Sequence, residues 1–318
     1  MSNAPAPVFA PEALPGSLGR SAIAGEIGRW ISSEPMCALL EAFGQPPLRP
    51  GSVEARLDEL ERFSLGRWNF RSGKERAEAR RETFEPGRDA LIRSATAALG
   101  LAGRQAPVGR DFDHVLVLGG GVRTMVGRSV LAAQILDSGV RTGTVAGLGS
   151  TRPLVSWQAA ARELGLGDCP TEGDAVAEGL RRAFRLGAPI ERASGRTELD
   201  QEWWLRSYQD STPAVHVLAA PSTQPPRRAV TGDTMIGWAD LVEPSPHDAR
   251  VLVVTSDLFV PFQHCVALAL LGVRYGCSVE TVGFDTATGE FLPPTTPAQL
   301  LQETRSAIDT MRWLHSLL

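Results

Sequence analysis

The sequence predicts an α/β protein: a mainly parallel sheet covered by helices on both faces, with a helical region ahead of it. Three observations predict it. Five short Val-rich runs recur from residue 114 onward, and each ends in small or polar residues. Helical stretches separate several of those runs. Residues 21–105 carry helical patterns and no run of that kind. Continuously apolar strands alternating with helices belong to parallel sheets buried on both sides, whose crossovers are right-handed.

The N-terminal part divides at its breakers. Residues 1–20, rich in Pro, Ala and Gly, form a loose arm. Residues 21–44 read as one helix, with Ile23, Ile27, Trp30 and Ile31 on a common face. "GQPPLRPG" interrupts it. "SVEARLDELERF" then opens at Ser52 with Glu54 and Arg56 nearby, and carries a Leu57, Leu60, Phe63 stripe. The highly charged but nearly balanced stretch 66–84 reads as a solvated helical face, and "GRDALIRSATAALGLAG" as a helix closed by glycine. The domain reading is an arm over 1–20, a helical region over 21–105, and an α/β domain over 106–318.

The strands of the second part are "HVLVLGG", "VRTGTVAGLGS", "AVHVLAAPS", "RVLVVTSD" and "SVETVGFD". Helices are expected over 127–138, 156–186, 231–242 and 261–272, followed by an amphipathic C-terminal helix that packs back on the core.

Composition narrows the function. The net charge of −4 argues against a general nucleic-acid binder. The basic residues are 31 Arg and one Lys, Lys74, as codon usage in a GC-rich genome produces. Lys74 is therefore the only candidate for a Schiff base, and no glycine-rich loop carries a P-loop lysine. Cys37, Cys169, Cys265 and Cys277 make no CxxC pair, so no metal site is expected. The N-terminus does not read as a secretory signal, and the longest apolar run, at 265–273, is too short to span a membrane. The expectation is a cytoplasmic protein with no membrane or nucleic-acid partner. A homo-oligomer is left open.

In open parallel sheets, ligands bind outside the carboxyl ends of the strands. The first strand leads into Gly119, Gly120, Gly121 and Arg123. The second leads into Ser150 and Arg152, the third into Ser222, Arg228, Thr231 and Thr234, and the fourth into Thr255, Ser256, Asp257, Gln263 and His264. Small residues admit a ligand to the backbone, hydroxyls and helix starts donate to anions, and Arg offers a bidentate fork. The first loop is not an ordinary dinucleotide fingerprint. Thr124 stands where its third glycine belongs, and no acidic residue ends the second strand. It reads as an anion or nucleotide loop, or simply as a tight turn. Thr231 fits a helix N-cap, with Arg228 beside it for an anion or for nothing but the surface. His264 and Asp257 are the candidate general acid or base, each with a structural role as the alternative.

These residues also resemble a known family. The strand–GGG loop, "RAVTGDT" at 228–234 and "VTSDLFVPFQ" at 254–263 look like the SanA/ElyC/YdcF-like domain of unknown function, over residues 114–285. The resemblance implies a Rossmann-like three-layer α/β/α sandwich and a link to S-adenosylmethionine. Val230, Phe259 and Phe262–Gln263 depart from its pattern. The expected ligand is a small anionic nucleoside-type molecule, S-adenosylmethionine or a nucleotide, used by an enzyme of unspecified reaction. The alternatives are a phosphoester or pyrophosphate hydrolase using Asp257 or His264, and a non-catalytic binding or regulatory protein.

Overall fold

The computed structural model describes residues 7–16, 19–73, 80, 82–154, 157–208 and 211–318. Lys74, Arg76 and part of the charged 66–84 stretch lie outside them.

Four helices open the chain: α1 (Arg20–Ile31), α2 (Glu34–Ala42), α3 (Val53–Arg67) and α4 (Pro86–Thr96). The single helix expected over 21–44 is two. Ser32 caps the end of α1, and Pro35 opens α2, where a missing N–H costs nothing. At the start of α3, Ser52 accepts the Ala55 N–H, and the helix stops at Arg67, at the edge of the charged stretch.

The sheet has seven strands: β1 (Asp111–Leu118), β2 (Arg141–Ser150), β3 (Pro189–Arg196), β4 (Glu202–Tyr208), β5 (Ala214–Ala220), β6 (Arg250–Ser256) and β7 (Ser278–Phe284). Their order is β3-β4-β5-β2-β1-β6-β7. The five apolar runs are the parallel strands, whereas β3 and β4 pair antiparallel to each other and β4 to β5. Sequence reasoning missed this hairpin for a physical reason. β3, at the sheet's edge, carries Glu191, Arg192 and Arg196, charges that keep an edge strand from pairing further and erase its apolar signal.

Helix α5 (Val122–Asp137) joins β1 to β2, and α6 (Gln158–Glu163) and α7 (Glu172–Ala183) follow β2. Helix α8 (Thr231–Leu241) carries the chain from β5 to β6, on the other side of β1. The direction of travel through the sheet thus reverses between β1 and β6. Helix α9 (Val260–Ala267) runs through a π-helical turn into α10 (Val273–Tyr275), and α11 (Pro297–Ser316) ends the chain. Alternating side chains of β1 feed two cores. Val115 and Val117 pack with Met125 of α5 and Val176 of α7, whereas Leu116 and Leu118 pack with Trp238 of α8 and Val266 of α9.

A third core unites the two ends of the chain. Ile27, Trp30, Leu57, Leu60 and Trp68 pack with Leu301, Ile308 and Met311 of α11 and with Leu268 at the end of α9. Each such side chain contributes about 1.5–3 kcal/mol on burial. The arm is tied to this unit by main-chain contacts, Glu12 N–H to Ala98 O at 2.8 Å among them. The helical stretch Asp257–Tyr275 has the length and hydropathy to cross a membrane, longer than the run at 265–273 suggested, because Leu258, Phe259 and Val260 extend it. Of its apolar 18-residue window, 72 % is buried within the protein, as in a core helix.

Candidate functional site

The reversal between β1 and β6 creates the position at which open α/β sheets hold ligands. Here the first element is the turn Gly119–Gly121. A Cβ on Gly119 would lie 2.6 Å from the Leu148 carbonyl oxygen and 2.8 Å from a Glu172 oxygen, so only glycine fits. Gly120 has φ +153, a conformation that favours glycine. Gly121 is the N-cap of the 16-residue α5 and supplies no side chain to its first turn, which also lacks an acidic residue. The start of α5 therefore presents main-chain N–H groups and the positive end of the helix dipole.

Glu172 is the residue that sequence reasoning missed. Ser150, the last residue of β2, donates its hydroxyl to the Glu172 carboxylate, which also accepts the Gly120 N–H. Glu172 reaches this place because the chain after β2 doubles back. Pro153 bridges Thr171, the Leu154 N–H donates to Pro170 O, and the Glu172 N–H donates to Arg152 O. An acid thus does stand at the end of the second strand, supplied from the first turn of α7. The readable signal was "TEGD", a helix start whose Thr171 and Asp174 form a capping box and fix the position of the glutamate between them. Desolvation raises the Glu172 carboxyl above the ordinary carboxylate range, against the Ser150 and Gly120 hydrogen bonds and the Arg128 charge.

Arg128, on the second turn of α5, is 2 % exposed and closes the gap between β1 and β6. Its guanidinium donates to the Leu118 and Gly119 carbonyls and to Ser256 Oγ, and lies 5.8 Å from the Phe259 ring centre. The reversal point is therefore filled by the protein's own cation. Outward of it lies the start of α5.

That outer position has planar and charged surroundings. A Cβ at Gly121 would meet the Trp157 ring at 3.4 Å, and the Arg152 guanidinium stacks 5.0 Å from the centre of that ring. Arg123, in the first turn of α5, is ion-paired with Glu163 at 2.5 Å, which ties α6 to α5.

The other expected residues form separate clusters. In the 221–234 segment, Val230 rather than Thr231 is the N-cap of α8. Asp233 organises the turn, accepting from the Val230 N–H, from Thr223 Oγ1 and from Arg227. Thr231 Oγ1 instead accepts from Gln263 Nε2 at 3.3 Å, and Gln263 Oε1 accepts from Thr255, so α8, α9 and β6 are laced together. Thr234 Oγ1 donates to Thr231 O, Ser222 Oγ accepts the Gln224 N–H, and Arg228 is exposed.

Asp257 and His264 are both buried, and no hydrogen bond links them. The Asp257 carboxylate accepts from the Leu258 N–H and from the N–H and hydroxyl of Thr286, which fastens the end of β7 to that of β6. Burial still pushes its carboxyl up to about 6. His264 has one ring nitrogen on Thr281 Oγ1 and the other on the Pro15 carbonyl of the arm, and burial pushes its pKa down to about 4. Among the described residues, no group of three or more His, Cys, Asp or Glu side chains could hold a metal ion.

Comparison with known proteins points to one set of relatives. Residues 15–100 match the family described as the Rv3785 N-terminal domain. The chain is 29 % identical to the uncharacterized protein Rv3785 of Mycobacterium tuberculosis strain H37Rv, over 97 % of this chain and 94 % of that protein. The uncharacterized protein Mb3814 of Mycobacterium bovis matches to the same extent. No solved structure matches. These findings correct the resemblance to the SanA/ElyC/YdcF-like domain. Its motifs, a glycine turn after β1 and a "VTSD" strand end, are short pieces that the carboxyl edge of a parallel sheet favours in any case. The matches to the Rv3785 proteins instead include the helical region that those motifs left aside.

Proposed function

We propose that this protein binds a small ligand combining a nucleoside with an anionic group, S-adenosylmethionine or a nucleotide, over the start of α5. The observation that carries this reading is the pairing of an uncapped 16-residue helix start at Gly121 with the Trp157 ring beside it. The helix start suits the anion. Trp157 and the stacked Arg152 suit a planar base. Glu172, at the end of β2, suits ribose hydroxyls, the role an acid has at that place in dinucleotide-binding sheets. In the same reading the sheet and its two helical faces form a Rossmann-like three-layer sandwich. The chain then divides into an arm over 1–20, a helical region over 21–105 and an α/β domain over 106–318, the last two sharing the core that α11 completes.

Native mass spectrometry of the freshly purified chain, followed by thermal shifts with S-adenosylmethionine, adenine nucleotides and adenosine, tests the proposal. A retained adenosine-type mass or a saturable shift supports it. An unliganded mass together with no shift from any of these compounds overturns it.

A further inference from the structure

A cavity of about 490 Å³ lies between the helical unit and the α/β part, on the face of the sheet opposite Trp157 and Glu172. Its floor is apolar, from Leu57 of α3 and Phe262 and Val266 of α9. The last turns of α11 form one side, and the start of α8 forms another. Two large apolar side chains of its lining stay open to solvent: Val230 is 42 % exposed and Trp313 is 39 % exposed. The volume falls within the range of small-molecule sites.

The charges around this space are unequal. Arg312 faces it, but its guanidinium is held by Asp58 at 2.6 Å and Glu61 at 2.9 Å. The partial positive charge of the α8 start is answered by Asp233 in its first turn. Glu54 and Asp309 also line the cavity; among the described residues neither carboxylate makes an ion pair or hydrogen bond, although the Asp309 charge also acts on Arg312. An apolar floor, an exposed indole and an excess of carboxylates, Glu54, Asp58 and Asp309 against the Arg312 guanidinium, make a site complementary to a cation with an apolar body. The indole face attracts such a cation as the carboxylates do.

We propose that this cavity is a second binding site, for a small organic cation of the aryl- or alkylammonium class. It is independent of the nucleoside site, since it shares none of Gly121, Trp157 or Glu172 and takes the opposite charge.

The test uses the full chain and phenethylammonium as probe, with 2-phenylethanol as the uncharged control of the same shape, followed by isothermal titration calorimetry. The expected result is saturable binding of phenethylammonium, at least tenfold weaker binding of the alcohol, and a loss of at least tenfold in the double variant Glu54→Gln, Asp309→Asn. Both carboxylates are exposed, so the double variant is expected to keep the wild-type circular dichroism and melting temperature. Absence of binding, equal affinity for the alcohol, or an unchanged affinity in the double variant would overturn the proposal. So would a dimer in solution that Trp313→Ala converts to monomer, since the cavity wall would then be a contact between copies.

Discussion

Ser150 and Glu172 stand 22 residues apart in sequence, yet the serine hydroxyl donates to the glutamate carboxylate at 2.5 Å. This contact seals the end of β2 against the glycine turn of β1. The Glu172 carboxylate takes up the Gly120 N–H and leaves the first-turn N–H groups of α5 without a side-chain cap.

The first expected consequence is a pH dependence. The folded chain raises the Glu172 carboxyl above its ordinary value of 4.5, so the folded state binds that proton more tightly than the unfolded state. The stabilisation from this proton is fully present below the ordinary value and is lost as pH rises through the raised one. Glu172→Gln, a neutral mimic of the protonated acid, is expected to gain stability relative to wild type as pH rises above 4.5. Urea unfolding between pH 4.5 and 8 measures the difference. Parallel curves for the two proteins would contradict the assignment.

Arg128 supports the same turn from the other side. Arg128→Met leaves the Leu118 and Gly119 carbonyls without the guanidinium and is expected to cost about 3–5 kcal/mol in urea unfolding. Arg128→Lys is expected to recover only part of that loss, because one ammonium cannot reproduce the planar fork that spans β1 and Ser256. Full recovery by lysine would show that charge alone matters there.

Gly119 and Gly66 make a matched pair of substitutions. Gly119→Ala meets the Leu148 oxygen at 2.6 Å and is expected to cost about 1–3 kcal/mol. Gly66 lies within α3 with nothing within 4 Å of its added Cβ, so Gly66→Ala is expected to stabilise by about 0.5–1 kcal/mol. Equal effects of the two in thermal unfolding would contradict the close approach of β1, β2 and Glu172.

His264 carries the acid limb. Its pKa in the folded chain is about 4, below the ordinary 6.5, so unfolding takes up a proton between those values. Stability is expected to fall with pH across that window, by up to about 1.4 kcal/mol per pH unit. His264→Gln removes this slope. Asp257, raised to about 6, acts in the opposite sense between its ordinary 3.8 and that value, so the slope is read as the difference between wild type and variant. An unchanged slope in His264→Gln would place the histidine in water.

The parallel strands were legible because burial on both faces writes them as unbroken apolar runs; Val115 to Leu118 are all buried. The β3–β4 hairpin was not, since its edge position demands charge. The glycine turn was legible as a tight turn after β1, but the side chains packed around it were not. Nothing in the sequence shows that the Arg128 guanidinium turns back onto β1 and Ser256, and Glu172 lies beyond a loop whose return path depends on the Pro153–Thr171 bridge. Thr231 and Gln263 were placed at the right edge of the sheet, yet their side chains bond each other. His264 read as a candidate general acid or base in the first turn of a helix at a strand end, whereas here the arm covers it through Pro15.

The most direct measurement of the central claim is calorimetric titration of the full chain with S-adenosylmethionine and with AMP, repeated on Trp157→Leu. The account expects saturable binding of at least one of them. Loss of the indole is expected to weaken it tenfold or more, since stacking on an aromatic side chain is worth about 1–3 kcal/mol. Binding of equal strength in Trp157→Leu, or no binding of either compound to the wild-type chain, would contradict it.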